Sequence, residues 1–351
     1  MNTSRSEAID SIKGIAAILM VYAHTISFTQ YVNNTTLKLI GDTSSLVLFI
    51  AVNGFVSVNS ILLKPLNKKL FKKSARRLGI YYVAFVIMMF PEQYLRYSVT
   101  SAINHILFIQ SGGYANFIVP FISYLLFILV IRIVIGHRQI SWKFLVAIWV
   151  IISAVFYLLS NYIISIFWKL PVPAFLLPNI ATITGCSNCG VYYPFLRYTI
   201  PLTIGIIFGI FANQFKNKIR YFLGLTVILI LLYNIFTKSD IQSVVYQRWP
   251  PSISFLLVGS IMFACLYLLF TFLPLTKKVQ DVLSWYGKHS LLITVSHVVA
   301  WTLIEYYFKI NITTYPWVIV AFFLTLHLFI PVTALFLCLQ EAYHSVVRSK
   351  I

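Results

Sequence analysis

Apolar positions in this chain do not alternate with polar ones at the period of a surface helix or strand. They form long runs with few polar interruptions near 14–30, 44–63, 78–90, 114–136, 143–163, 192–213, 221–237, 252–273, 289–308 and 315–340. Roughly 20 apolar residues are needed to cross the hydrocarbon layer of a bilayer as a helix, so these runs predict about ten transmembrane helices. The run at 78–90 is the shortest and stops at Pro91, and 101–110 reads as re-entrant or interfacial. The expected fold class is an all-α integral membrane protein, a single bundle over 1–351 with no appended soluble domain.

Composition agrees with the pattern. The chain is 351 residues long, 60% hydrophobic and only 10% charged, with a mean hydropathy of +0.86, outside the balance of a soluble domain. The formal charge of +19 does not point to nucleic acid, because the bases sit in short loops between the runs. Alternating the loops between two sides puts 20 of the 27 Lys and Arg on one side, from Arg5 and Lys13 through the Lys68–Arg77 segment to Lys350. That bias predicts both termini in the cytoplasm. The N-terminus lacks a basic leader and a small-residue cleavage site, so the first run is expected to be a retained helix.

Orientation gives meaning to the polar residues inside the first run, "EAIDSIKGIAAILMVYAHTI". Lys13 marks its cytoplasmic end and His24 follows eleven residues later. At 100° and ~1.5 Å per residue, eleven residues make about three turns plus 20°, so both side chains share a face and His24 lies roughly 16 Å deeper. Asp10 falls on nearly the same face. A histidine at that depth is costly against lipid and so is expected to face the bundle interior, as a catalytic group or as a core histidine bonded to a neighbouring helix.

A second cluster, "LNKKLFKKSARRLGIYY", places six Lys and Arg within twelve residues beside the membrane. It can anchor anionic head groups. It can also hold the phosphates of a cytosolic cofactor, with Lys73, Arg76 and Arg77 nearest the helix. In "LFIAVNGFVSVNS" the pair Asn53-Gly54 interrupts an apolar run, as a packing feature or as part of a site.

These segments carry a resemblance. "AIDSIKGIAAILMVYAHTISF" resembles the opening of the membrane acyltransferase 3 family: Asp, two residues, Arg or Lys, Gly, then an apolar stretch ending in His, with ten residues between base and His. Asp10, Lys13, Gly14 and His24 fit. "LFIAVNGFV" is similar to the family's Phe-rich helix ending in Ser-Gly-Phe, with Asn53 in place of the Ser. "KKSARRLGIYY" is similar to its basic stretch, with a doubled Arg76-Arg77, and "LSWYGKHSLLITVSH" to its Gly-Lys-x-Ser segment ending in His297.

The resemblance implies O-acyl transfer, acetyl as a rule, from acetyl-CoA as donor substrate to a hydroxyl of an extracytoplasmic polysaccharide or lipid-linked glycan, in a bacterial cytoplasmic membrane. On that reading His24 is the general base or is itself acylated. Lys13, Lys73, Arg76 and Arg77 hold the CoA phosphates, and Asp10, Asn53 and Gly54 support them. No permanently bound cofactor and no metal are expected. Arg197, Glu305 and His297 are acceptor-side candidates, with Glu92, Arg96 and Trp249 near the same outer loops. His297 and His327 also read as packing or network histidines. Cys186 and Cys189 in "TGCSNCG" form one CxxC without a nearby His, which suits an oxidised pair better than zinc. Cys265 and Cys338 read as small apolar fillers. The rival functions are a glycan exporter without acyl chemistry and a structural partner in a glycan-assembly complex.

Overall fold

The computed structural model describes residues 7–28, 35–107, 118–136, 141–167, 194–215, 218–237, 251–273, 276–308, 315–332 and 334. Cys186, Cys189, Trp249 and Cys338 lie outside them. The described residues are helical throughout their length, apart from caps and turns: α1 (Glu7–Phe28), α2 (Thr35–Ser57), α3 (Lys68–Arg96), α4 (Val99–Ile106), α5 (Ile118–Ile135), α6 (Trp142–Phe167), α7 (Thr199–Gln214), α8 (Ile219–Phe236), α9 (Ile253–Phe272), α10 (Lys277–Lys288), α11 (Ser290–Phe308) and α12 (Tyr315–His327). Eight helical stretches are long and apolar enough to cross a membrane, and Thr199–Gln214 and Trp317–Val332 are shorter apolar ones. All ten coincide with the predicted runs. The protein is a multi-pass, all-α membrane protein.

Two elements differ from the sequence reading. α3 starts ten residues before the apolar run, because the Asn67 side chain accepts a hydrogen bond from Leu70 N at 3.0 Å and caps the first turn, Lys68 to Phe71. It also continues through Pro91 to Arg96, so the proline costs one backbone bond inside the helix without ending it. α10 lies in what read as a basic loop. Its polar twelve residues carry no membrane-length apolar signal, yet they form a helix that packs lengthwise on α1.

Packing at the centre depends on close backbone approach. A Cβ at Gly54 would overlap the Leu202 carbonyl, and one at Gly205 the Ala51 carbonyl, so α2 and α7 touch backbone to backbone. α1 and α10 meet the same way: a Cβ at Gly14 would overlap the Leu283 carbonyl and one at Gly287 the Asp10 carbonyl. Outer helices face the other way, with Val150, Ile151 and Leu158 of α6 and Val227, Ile228 and Leu231 of α8 exposed to the apolar surroundings a membrane supplies. Cys265 is exposed on α9, so it fills no gap in the core.

Candidate active site

The Gly14–Gly287 approach brings together two bases from opposite ends of the sequence. Lys13 on α1 and Lys288 at the end of α10 border one cavity of about 190 Å³, with Asn53 of α2, Arg77 and Tyr81 of α3 and Thr294 of α11. Asn53 is 7% exposed, and its Nδ2 has no hydrogen-bond partner among the described residues. A buried amide donor left without an acceptor costs on the order of 1–3 kcal/mol. Asn53 lines the cavity, with Nδ2 itself buried behind the lining surface.

A second, wider cavity of about 800 Å³ adjoins the first at Lys13. Lys64, Lys69 and Lys73 line it, with Asn59, Ser60 and Asp10. Asp10 is its single acidic lining residue among those described, and its Oδ1 pairs with Lys13 Nζ at 3.4 Å. Arg77 Nη1 donates to Ser60 Oγ at 3.2 Å, joining the lining of the two spaces. Together they form a basic vestibule narrowing to a small basic chamber.

Beyond the chamber lies a pair of histidines. Thr294 lines the chamber, and His297 follows it by three residues on the same face of α11. His24 Nδ1 lies 2.8 Å from His297 Nε2, and His297 Nδ1 lies 2.8 Å from the Ile293 carbonyl oxygen. His297 is fully buried and His24 half-buried. The histidine inside the first run thus meets another histidine from the eleventh helix, one helical turn past Thr294 of the chamber lining.

A family model described as an acyltransferase domain matches residues 6–335. The chain belongs to the membrane acyltransferase 3 family. It is a membrane acyltransferase. No curated protein matches it significantly.

Of the residues singled out in this acyltransferase by sequence, the fold gathers Asp10, Lys13, Lys73, Arg77 and Asn53 around the two cavities and sets His24 and His297 just beyond. Arg76 is exposed and lines neither space. Gly54 serves the α2–α7 contact. Lys288 lies in the "GKHS" segment, where no local pattern marks it as a site residue, because its place beside Lys13 depends on how α10 docks.

At the opposite end of the bundle Arg96 Nη2 pairs with Glu305 Oε2 at 2.5 Å, beside a cavity of about 230 Å³ that Thr302 and Tyr306 also line. Glu92 is buried in α3. Arg197 is elsewhere and engaged: its guanidinium donates to Ser160 Oγ at 3.0 Å, to the Pro251 carbonyl at 2.9 Å and to Asn161 Oδ1 at 2.5 Å, and stacks over Tyr157. It ties α6 to the segments preceding α7 and α9. His327 joins Tyr286, whose hydroxyl lies 2.9 Å from its Nε2. Among the described residues no group of three His, Cys, Asp or Glu is placed to hold a metal ion.

Proposed function

We propose that this acyltransferase takes an acyl group, acetyl in the first instance, from acyl-CoA at its basic end and passes it to a hydroxyl of an extracytoplasmic polysaccharide or lipid-linked glycan. The basic end is then cytoplasmic and the membrane is a bacterial cytoplasmic membrane. The observation that carries the reading is the run of cationic space from Lys64, Lys69 and Lys73 through Lys13 to Arg77 and Lys288, whose lining includes Thr294, one helical turn before His297. CoA carries several phosphate charges at one end of a slender, amide-bearing arm with the thioester at the other. Clustered Lys and Arg suit the phosphates. The buried Asn53 amide suits a carbonyl of the arm.

His24 then acts as general base. It takes the acceptor hydroxyl proton as the oxygen bonds to the thioester carbonyl carbon, the C–S bond breaks, and the departing thiolate receives a proton, so that ester and free CoA thiol are the products. The test is release of free thiol from acetyl-CoA by the purified protein in nanodiscs, with and without a lipid-linked glycan fraction, for wild type and His24→Ala. Turnover by wild type alone, with acetyl-CoA bound by both, is the expected result. Failure of the wild type to bind or consume acetyl-CoA overturns the reading.

A further inference from the structure

Heavy-atom positions around His297 determine where the protons sit. A backbone carbonyl oxygen only accepts hydrogen bonds, so His297 Nδ1, 2.8 Å from Ile293 O, carries the hydrogen. In the neutral ring Nε2 is then an acceptor. At 2.8 Å it faces His24 Nδ1, which must donate to it. His24 is thereby held as the Nδ1–H tautomer, with its lone pair on Nε2.

We propose that His297 is a positioning residue for acyl transfer: through Ile293 it fixes the tautomer and ring orientation of His24, and its Nε2 accepts from the His24 imidazolium once Nε2 of His24 has taken the proton. This rests on His24 being the base. The logic is that of a carboxylate behind a catalytic histidine, with a carbonyl-anchored neutral imidazole in the carboxylate's place. A neutral partner fits the site, since His297 is fully buried and a carboxylate there would add a desolvated charge.

His297→Leu and His297→Gln separate this role from packing. Gln keeps an acceptor near the place of Nε2, whereas Leu fills space only. Expected for Leu is a kcat about 10- to 100-fold lower with the KM for acyl-CoA little changed, and for Gln recovery of most of that loss. A Leu variant that turns over within twofold of wild type overturns the proposal. ¹⁵N spectra of histidine-labelled protein in nanodiscs give a second readout that needs no activity: His24 of the wild type should show a protonated Nδ1 and an unprotonated Nε2, and His297→Leu a mixture of tautomers. A wild-type His24 protonated on Nε2 instead overturns the proposal. Absence of acetyl-CoA turnover by the wild type would fault the proposed function, while the spectra still decide the tautomer.

A different part of the molecule carries a second inference. α7 forms the floor, and α6 and α8 the walls, of a cavity of about 640 Å³ that Ile253 and Leu257 of α9 close at one end. The polar atoms in its lining are bonded within the protein: Ser153 to Thr203 at 2.5 Å, Thr203 to the Trp149 carbonyl, and Tyr157 Oη as acceptor from Ile253 N at 3.1 Å. The groove runs from Val146 to Leu158 along α6, about 18 Å at ~1.5 Å per residue, which approximates one leaflet of a ~30 Å hydrocarbon core. Lys143 precedes Val146 by three residues on the groove face of α6, and Lys218 is the residue at the N-terminal cap of α8, so each wall carries an exposed cation at the basic end.

We infer that this groove holds an acyl chain of an anionic phospholipid, its phosphate over Lys143 and Lys218. Protein purified in mild detergent is exchanged into mixtures of phosphatidylglycerol and phosphatidylcholine, and retained lipid is read by native mass spectrometry. Phosphatidylglycerol should be retained preferentially, the preference should fall in Lys143→Gln/Lys218→Gln, and Ala154→Trp, which fills the groove from a lipid-facing position, should abolish retention. Equal retention of the two lipids, retention unaffected by Ala154→Trp, or displacement of phosphatidylglycerol by an equal amount of a polyprenyl phosphate overturns it.

Discussion

Lys13 and Lys288 border the same cavity although nearly the whole chain separates them, because Gly14 and Gly287 let α1 and α10 touch backbone to backbone. With Asp10 paired to Lys13 and Arg77 also in the lining, the chamber keeps a net positive charge that an anion would offset. Removing either should therefore weaken binding of a polyanionic donor by about tenfold, the worth of a charge-assisted hydrogen bond. The double Lys13→Ala/Lys288→Ala variant should lose less than the product of the two, measured as the Kd for acetyl-CoA in a double-mutant cycle.

Asn53 should show opposite signs in stability and activity. Asn53→Ala removes a buried amide whose Nδ2 has no partner among the described residues, so thermal stability in detergent should hold or rise. Acyl transfer should fall if that amide receives a donor carbonyl. The checks are a melting curve and kcat/KM on one preparation.

Gly287→Ala tests the helix contact. Its Cβ would meet the Asp10 carbonyl, and rigid backbone cannot yield as a side-chain tip can. Overpacking of this kind costs about 1–3 kcal/mol. Thermal unfolding should fall accordingly, and acetyl-CoA binding should weaken with it, because the shift separates Lys288 from Lys13.

Arg197 should behave as structure. Arg197→Ala leaves Ser160, Asn161 and the Pro251 carbonyl without their charged donor and should destabilise by about 3 kcal/mol. Arg197→Lys should not rescue it, since an ammonium cannot reproduce the planar fork. Loss of activity should track loss of folded protein, read by size-exclusion profile against turnover, with KM for the acceptor unchanged in the folded fraction.

Much of the architecture was legible because its signals are local. A membrane-spanning helix declares itself by a continuous apolar run, and one periodicity places Asp10, Lys13 and His24 on a common face whatever surrounds them. The start of α3 is hidden for the same reason: seven of its first ten residues are polar or charged and carry no membrane-length apolar signal, while the Asn67 cap that starts it is one side chain.

By itself, the order of residues determined the class of protein, the ten apolar elements and the types of group available at each end. Only the tertiary structure decided which of them meet. The partner of His24 is His297 because α11 packs against α1, and Lys288 enters the chamber because two glycines permit an approach that no local pattern encodes. Arg197, one more polar residue in sequence, is occupied by three acceptors from two distant segments. Such pairings depend on helix docking, and docking is set by the combined shape of surfaces drawn from the whole chain.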